Sequence, residues 1–342
     1  MKPNSFLFSI ILVLLFSSNI HTIDFQFGLT NAIKKDVEEL DRKYLEKYPP
    51  SIIKVGSCDT PGDARGVYVS GDYAYVADWD YGLRVINISN PSSPSEVGSY
   101  DTPGSANEVY VLGNYAYVAD AGSGLRIISV SNPSLPTEVG SYDTSGYAYG
   151  VYILGNYAYV ADWDYGLRVI NISTPTAPSE VGSYDTPGVA VEVYVSGNYA
   201  YVADVYYGLR IINISNPSSP TEVGYYDTPG SANEVYVSGN YAYVADGNSG
   251  LRIINISNPA SPYESGSYDT PGSANEVYVL GNYAYVADGD FLRVINISNP
   301  ASPSEVGSYD TLYSAQGVYV SGNYAYVAAG SSGLIILKCT LP

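Results

Sequence analysis

Short apolar runs alternate with polar turn segments from about residue 53 to the C terminus, and the alternation repeats. The segment Tyr-Ala-Tyr-Val-Ala begins at seven positions, with five successive spacings of 42 residues and a last spacing of 41. These starting positions are Tyr73, Tyr115, Tyr157, Tyr199, Tyr241, Tyr283 and Tyr324. A period of this length indicates a repeat architecture, so the repeat predicts the fold before composition is considered.

Each copy of the repeat predicts four short strands. In the second copy these are residues 108–112, 115–119, 125–130 and 138–143, separated by turn segments rich in Gly, Asn and Pro. Four strands in about 42 residues are typical of a β-propeller blade and not of helix-containing repeats. The sequence therefore predicts an all-β, seven-bladed propeller of four-stranded antiparallel blades.

The two ends of the repeat region complement each other. Residues 53–60 have the pattern of a fourth strand with no blade before it, whereas the last copy stops after its third strand, residues 334–339. We expect the N-terminal strand to complete the seventh blade and so close the propeller.

The repeat also resembles a known family. The run from Gly82 to Pro91, Gly-Leu-Arg-Val-Ile-Asn-Ile-Ser-Asn-Pro, preceded by Tyr-Val-Ala-Asp, is similar to the LVIVD repeat. The resemblance covers residues 53–342 and implies an extracytoplasmic bacterial or archaeal propeller without an assigned activity. Asn stands where that family usually has Asp, at positions 87, 171, 213, 255 and 296.

The N-terminal residues predict an export signal followed by a helix. Lys2 and the apolar run from Phe6 to Phe16 are typical of a signal peptide, assigned to residues 1–22, although an uncleaved anchor remains an alternative. Residues 23–51 contain an amphipathic pattern (Ile33, Val37 and neighbours) and a Pro linker, and residues 52–342 form the propeller. We expect a secreted or cell-surface, monomeric protein with no membrane span after signal removal.

Charge and composition exclude several functions. The formal net charge of −19 disfavours nucleic acid and anionic membranes as partners. The only histidine, His21, lies in the predicted signal, which excludes Ser-His-Asp nucleophiles and imidazole metal sites. Asp78-x-Asp80-x-Gly82 resembles the opening of a calcium loop but lacks the closing Glu, so we expect no metal and no cofactor.

Two connections in each copy vary, and in an antiparallel blade both emerge on the same face. That face concentrates aromatic and acidic residues, which favours binding of a protein or glycan ligand, with a carbohydrate-binding lectin as an alternative. These rings could instead merely pack between adjacent loops. The candidate ligand-binding residues are Trp79, Asp80, Tyr81, Trp163, Asp164, Tyr165, Tyr147, Tyr149, Tyr206, Tyr207 and Phe291.

Repeated charges have two further interpretations. Glu108, Glu192, Glu234 and Glu276 open the innermost strands and could serve a glycosidase, but the sialidase box is absent and we expect no enzyme. An Asp after the second strand and an Arg in the third occur together in six copies and are lost together in the seventh, as Ala329 and Ile335. This joint loss predicts a structural ion pair within each blade.

The two cysteines, Cys58 and Cys339, fall on the strands that close the seventh blade. Because those strands are expected to be neighbours in an exported protein, we predict a disulfide between them.

Overall fold

The computed structural model describes residues 50–341, and within them it is a seven-bladed β-propeller. The predicted export signal and amphipathic helix lie outside the described residues. Among the described residues no helix is long and apolar enough to cross a membrane.

Each blade is an antiparallel sheet of four strands, numbered β1 to β28 along the chain. Blades 1 to 3 comprise β2 Gly66–Ser70, β3 Tyr73–Ala77, β4 Leu83–Asn87, β5 Ser95–Tyr100; β6 Glu108–Leu112, β7 Tyr115–Ala119, β8 Leu125–Ser129, β9 Thr137–Tyr142; β10 Gly150–Leu154, β11 Tyr157–Ala161, β12 Leu167–Asn171, β13 Ser179–Tyr184. Blades 4 to 6 comprise β14 Ala190–Ser196, β15 Tyr199–Asp204, β16 Gly208–Asn213, β17 Thr221–Tyr226; β18 Glu234–Ser238, β19 Tyr241–Ala245, β20 Leu251–Asn255, β21 Tyr263–Tyr268; β22 Ala274–Leu280, β23 Tyr283–Asp288, β24 Phe291–Asn296, β25 Ser304–Asp310. Blade 7 comprises β26 Gly317–Ser321, β27 Tyr324–Ala328, β28 Leu334–Thr340 and, as its outer strand, β1 Ser51–Cys58.

The hydrophobic core lies between neighbouring blades. One of seven such clusters joins Leu125 and Ile127 of blade 2 to Val151, Val160 and Ile170 of blade 3. Since every blade packs against a neighbour on each side, its middle strands are buried on both faces and are apolar at nearly every position. This explains why Tyr-Ala-Tyr-Val-Ala is almost continuously apolar instead of alternating.

The closure of the ring agrees with the sequence prediction. Strand β1 pairs antiparallel with β28, with Ile52 opposite Cys339 and Cys58 opposite Leu334. The first described strand therefore joins the last one, and the predicted strands of the second copy agree with the observed ones to within one residue at each end.

The predicted disulfide between Cys58 and Cys339 is wrong. The register places the two residues at opposite ends of the β1–β28 pair, five positions or about 17 Å apart along β28. A disulfide requires Cα atoms within about 7 Å. Both thiols are free: Cys339 packs in the cluster between blades 6 and 7, whereas Cys58 packs against the one between blades 7 and 1. The prediction identified neighbouring strands correctly but ignored that antiparallel pairing separates these two positions.

The predicted ion pairs form in four of the six blades. Arg Nε lies 3.7 Å from Asp Oδ2 in blade 1, 3.6 Å in blade 3, 3.8 Å in blade 5 and 2.5 Å in blade 6. In blades 2 and 4 the prediction fails, because Arg126 turns to Glu138 at 2.7 Å and Arg210 to Asp227 at 3.2 Å.

The main partners of the repeated Asp are instead in the turn that precedes its blade. Asp162, which has no solvent exposure, accepts hydrogen bonds from Thr144 Oγ1 at 2.5 Å and Gly146 N at 2.9 Å. The same Thr and Gly contacts recur in blades 1, 2, 5 and 6. Before blade 7 the turn is Thr311-Leu312-Tyr313, so the glycine of this turn is replaced together with the Asp. The repeated Asp therefore fastens each blade to the connection that enters it.

Candidate functional site

The two variable connections of each copy lie on one face of the propeller, which we call the variable face. Backbone bridges join the loop after the second strand of one blade to the loop before the first strand of the next, as between Trp79 and Ala106 or Trp163 and Ala190. Neighbouring variable loops therefore support one another around the central channel.

A belt of seven tyrosines surrounds the channel. Each blade contributes the Tyr of the Val-Tyr-Val or Val-Tyr-Ile segment in its innermost strand, and all seven adjacent pairs have ring centroids 4.8–5.1 Å apart. The members are Tyr68, Tyr110, Tyr152, Tyr194, Tyr236, Tyr278 and Tyr319. Burial, with the proximity of the neighbouring phenols and hydrogen bonding to them, raises the pKa of Tyr68 and Tyr152 far above the usual tyrosine value, so these two phenols stay neutral.

A cavity of about 400 Å³, here called the funnel, opens on the variable face at the mouth of the channel. All seven copies contribute the residue two positions before their first-strand Val, and four copies also contribute a Glu. The lining residues are Arg65, Asn107, Glu108, Tyr149, Trp163, Val191, Glu192, Val205, Asn233, Glu234, Asn275, Glu276 and Gln316. The funnel is therefore concave and polar, with an aromatic group on one side.

Three of the four glutamates of the funnel, Glu108, Glu192 and Glu276, fit against glycines of neighbouring blades. A Cβ atom added at Gly66 would collide with the carboxylate of Glu108, and one added at Gly150 would collide with that of Glu192. Glu276 reaches across to blade 7, where its Oε1 accepts a hydrogen bond from Val318 N at 3.0 Å. The copies that lack the Glu therefore supply the space that the glutamates occupy.

Burial raises the pKa of all four carboxyl groups. The pKa of Glu108 is raised to about 7 by burial, and that of Glu192 is raised well above its usual range by burial and by the charge of Glu108. The pKa values of Glu234 and Glu276 are raised by burial and by the charges of the neighbouring glutamates, chiefly Glu192 for Glu234 and Glu108 for Glu276. Near neutral pH these groups can therefore donate as well as accept hydrogen bonds.

The raised pKa of Glu108 makes the stability of the folded protein depend on pH. Because its pKa rises on folding from an ordinary value to about 7, the native state loses stability as pH increases from about 4.5 to 7. We expect Glu108→Gln to stabilise the protein by about 1–2 kcal/mol at pH 8, a value reduced for partial exposure, and to change it little at pH 5. Denaturant unfolding at both pH values checks this, and an equal effect at the two would contradict it.

Two tryptophans on the variable face support funnel residues of their own blades. Trp79 lies under the guanidinium of Arg65, whose Cζ is 3.2 Å from the ring centroid. Trp163 stacks on Tyr149 with centroids 4.7 Å apart and an angle of 29° between the rings. In the other blades the corresponding first-strand residue is Asn, Gln or Val, and the place of the Trp is taken by Ala, Val or Gly.

Both tryptophans have a left-handed backbone conformation. The φ angle is 51° at Trp79 and 55° at Trp163, while the equivalent positions Gly247, Gly289 and Gly330 have φ between 52° and 59°. A residue with a side chain costs about 1–2 kcal/mol in this region, which glycine enters freely. The two indole rings are therefore present at positions where the fold itself favours glycine.

The other predicted ligand-binding residues divide into two groups. Four rings lie over the structural Arg of their own blade, 4.9–5.6 Å from its Cζ, and do not line the funnel: Tyr81, Tyr165, Tyr207 and Phe291. The other four, here called the rim, do not line the funnel either: Asp80 accepts a hydrogen bond from Ser105 at 2.7 Å, Asp164 is exposed, and Tyr147 and Tyr206 are 57% and 73% exposed. Of the predicted set, only Tyr149 and Trp163 line the funnel, and Trp79 supports it through Arg65.

The family of the chain is established by the repeats themselves. The LVIVD repeat matches residues 61–102, 103–144, 145–186, 187–228, 229–270, 271–311 and 314–337. The chain belongs to the LVIVD repeat family. A comparison with curated proteins finds no significant match to this LVIVD-repeat propeller.

Solved structures share the fold. The β-propeller domain of Cps50 (Swd1) from Myceliophteria thermophila has a TM-score of 0.69 at 11% identity and covers 85% of this chain and 100% of that one. The computationally designed Ika8 protein has a TM-score of 0.63 at 8% identity and covers 83% and 99%. At these identities the likeness concerns the fold alone.

The sequence prediction missed two features of this LVIVD-repeat site. One is the tyrosine belt, which an invariant Tyr in the middle of every first strand could have indicated. The other is the residue before each Glu or Gly of the first strand, where Arg65, Asn107, Asn233, Asn275 and Gln316 line the funnel. That position varies between the copies, and its variation is the signal that was available.

Proposed function

We propose that this LVIVD-repeat propeller is a non-enzymatic binding protein that takes a ligand into the funnel of its variable face. The observation that carries the proposal is the left-handed conformation of Trp79 and Trp163. Strained residues persist where the surrounding structure or a function requires them, and each of these rings supports a side chain of the funnel. The propeller fold, which the other blades build with Ala, Val or Gly at the same position, does not require the two rings.

The funnel favours a saccharide unit as the ligand. Its carboxyl and amide groups both donate and accept hydrogen bonds, as the hydroxyl groups of a sugar demand, and Tyr149 with Trp163 provides an aromatic side. A concave site of about 400 Å³ also suits a compact ligand better than a flat protein surface. The net negative charge of the chain disfavours anionic sugars, so we propose a neutral or amino sugar.

A protein ligand is the second candidate, and a specific feature favours it. Tyr147 and Tyr206 stand exposed on the variable face, and exposed tyrosines are common at the energetic centres of protein interfaces. In that case the ligand would contact the rim and leave the funnel largely empty. We further propose an extracytoplasmic location, which rests on the signal-like residues 1–22.

A panel of immobilised neutral, amino and acidic oligosaccharides tests the proposal. We expect the protein to bind at least one neutral or amino sugar, in the presence of EDTA, and to ignore the acidic ones. Tyr263→Ser, which removes an exposed ring from the outer edge of blade 5, is the control and should bind as the wild type does. If the protein binds protein ligands but none of the saccharides, the result would favour a protein-binding site on the rim. Release of reducing sugar, lost in Glu192→Gln or Glu234→Gln, would contradict the non-enzymatic assignment.

A further inference from the structure

One tripeptide, Asn-Ile-Ser, is repeated at the end of the third strand in blades 1, 3, 4, 5 and 6. These five copies are the only Asn-x-Ser or Asn-x-Thr sequences of the chain in which x is not Pro. Their asparagines are Asn87, Asn171, Asn213, Asn255 and Asn296, none of which lines the funnel. Asn-x-Ser/Thr without a central Pro is the acceptor sequence for N-linked glycans in exported proteins.

The asparagine and serine of each motif reach the surface of the folded propeller. Each Asn is partly exposed and each Ser is exposed, whereas the Ile between them is buried in the core. In blade 1 the Oδ1 atom of Asn87 accepts hydrogen bonds from Ser89 N at 3.0 Å and from Ser89 Oγ at 2.7 Å. The backbone contact recurs in the other four copies at 2.9–3.0 Å. Among the described residues, no acceptor takes a hydrogen bond from the Nδ2 group of any of the five.

The turn that follows the third strand does not need the amide nitrogen of the asparagine. An Asp would accept the same hydrogen bonds from the Ser two residues on. Blade 2 forms the turn with Ser129, whose Oγ lies 3.1 Å from Oγ of Ser131, and blade 7 has Lys338 at this position. The fold therefore explains the acceptor oxygen of each Asn and leaves its Nδ2 group available for a reaction.

The surroundings of the motif leave room for a glycan and do not obstruct the funnel. A partly buried tyrosine of the second strand stands opposite each Asn, as Tyr73 does opposite Asn87. Directly opposite residues have Cβ atoms about 5 Å apart on one face, so this ring can pack against the first sugar. Ile88 N donates a hydrogen bond to Asp72 O of the Gly-Asp turn at 2.8 Å, which places the motif on the face opposite the variable face.

We infer that the five asparagines of the Asn-Ile-Ser motifs are N-glycosylation sites. In the transfer, Nδ2 of the Asn forms a bond to the anomeric carbon of an oligosaccharide that is carried on a lipid diphosphate. The bond between that carbon and the diphosphate oxygen breaks, the lipid diphosphate leaves with the electron pair, and the amide gives up one proton. The donor and the transferring enzyme belong to the export route, so the inference rests on the proposed extracytoplasmic location and not on the ligand of the funnel.

Peptide mapping of the full-length protein, isolated from the cells that produce it, tests the inference. We expect each Asn-Ile-Ser peptide to be heavier by the mass of an oligosaccharide, which fragment spectra place on the Asn. Asn90 and Asn216 are controls within the chain, because their Oδ1 atoms accept hydrogen bonds from a Ser two residues on, as that of Asn87 does. Pro follows each of these two, so we expect no sugar on them.

Two pairs of variants, produced in the same cells, complete the experiment. Ser89→Ala keeps Asn87 but removes the hydroxyl of the motif and should lose the glycan at Asn87 alone, whereas Ser89→Thr should retain it. Ser129→Asn creates Asn-Val-Ser in blade 2 and should gain a sixth glycan, whereas Ser129→Asp should gain none.

The outcomes separate this inference from the other proposals. Unmodified asparagines in protein recovered outside the cytoplasm would overturn the inference alone. Sugar on Asn87 in Ser89→Ala, or no sixth glycan in Ser129→Asn, would do the same. Protein confined to the cytoplasm would overturn the proposed location and the inference with it. A glycosylated protein that binds no saccharide in its funnel would contradict the proposed ligand and leave the inference standing.

Discussion

Asp162→Ala is expected to lower the free energy of unfolding by about 3–5 kcal/mol. Asp162 is fully buried, and its removal leaves Thr144 Oγ1 and the amide of Gly146 without their acceptor and takes one of three carboxylate partners from Arg168. Denaturant unfolding of the variant measures the loss. Asp164→Ala, two residues further on at an exposed position, is the control and should change stability by less than about 0.5 kcal/mol. Similar losses in the two variants would contradict the role assigned to Asp162.

The double variant Asp162→Ala with Arg168→Ile separates the two kinds of partner. It imitates blade 7, which has Ala329 and Ile335. If the ion pair dominated, the double variant would be nearly as stable as the wild type. Because the hydrogen bonds to Thr144 and Gly146 are lost in both variants, we expect only a partial recovery, by about 1–2 kcal/mol. Simple additivity of the two single changes would show that Asp162 and Arg168 do not interact.

Trp79→Gly and Trp163→Gly are each expected to weaken ligand binding strongly at nearly constant stability. Relief of the left-handed strain offsets the lost ring contacts and the extra chain entropy of glycine, so each variant should stay within about 1 kcal/mol of the wild type. Binding to the saccharide selected by the panel should fall at least about 30-fold, because a supporting ring at the centre of a site is worth about 2 kcal/mol. Thermal unfolding and binding isotherms measure the two effects.

Ala121→Gly provides the control for these substitutions. It removes a side chain from the equivalent left-handed position of blade 2, where φ is 44° and no ring is present. Its binding should equal that of the wild type. Unfolding of the tryptophan variants, instead of folded proteins that do not bind, would show that the rings serve packing between loops.

The repeat allowed the architecture to be predicted. Four strands in each copy indicate a propeller blade, and the unpaired strand at the start of the repeat region supplies the strand that the last copy lacks. Local pairing could not be predicted in the same way. The position of Cys58 relative to Cys339 depends on register, and the partner of Asp162 depends on how the preceding turn folds back onto the blade. Both are set by three-dimensional contacts between segments about 16 or more residues apart, which a pattern of apolar and polar positions does not encode.

The candidate site was predicted only in part, because the sequence indicates which loops are variable but not where their side chains point. Aromatic side chains in variable loops pointed to the correct face, and Tyr149 and Trp163 do line the funnel. Tyr81 and Tyr165 are aromatic residues of the same loops as Trp79 and Trp163, yet they lie over Arg84 and Arg168 instead. The direction in which a loop side chain points depends on the backbone conformation of that residue. At Trp79 and Trp163 this conformation is left-handed, which a residue with a side chain disfavours, so the sequence did not indicate it.

A crystal structure of the wild-type protein with the saccharide that binds best in the panel would show directly where the ligand lies. We expect a sugar ring in the funnel, in contact with Tyr149 or Trp163 and hydrogen-bonded to at least one of Glu192 and Glu234. A sugar bound instead on the face formed by the Gly-Asn turns, or on the outer perimeter of the blades, would contradict it.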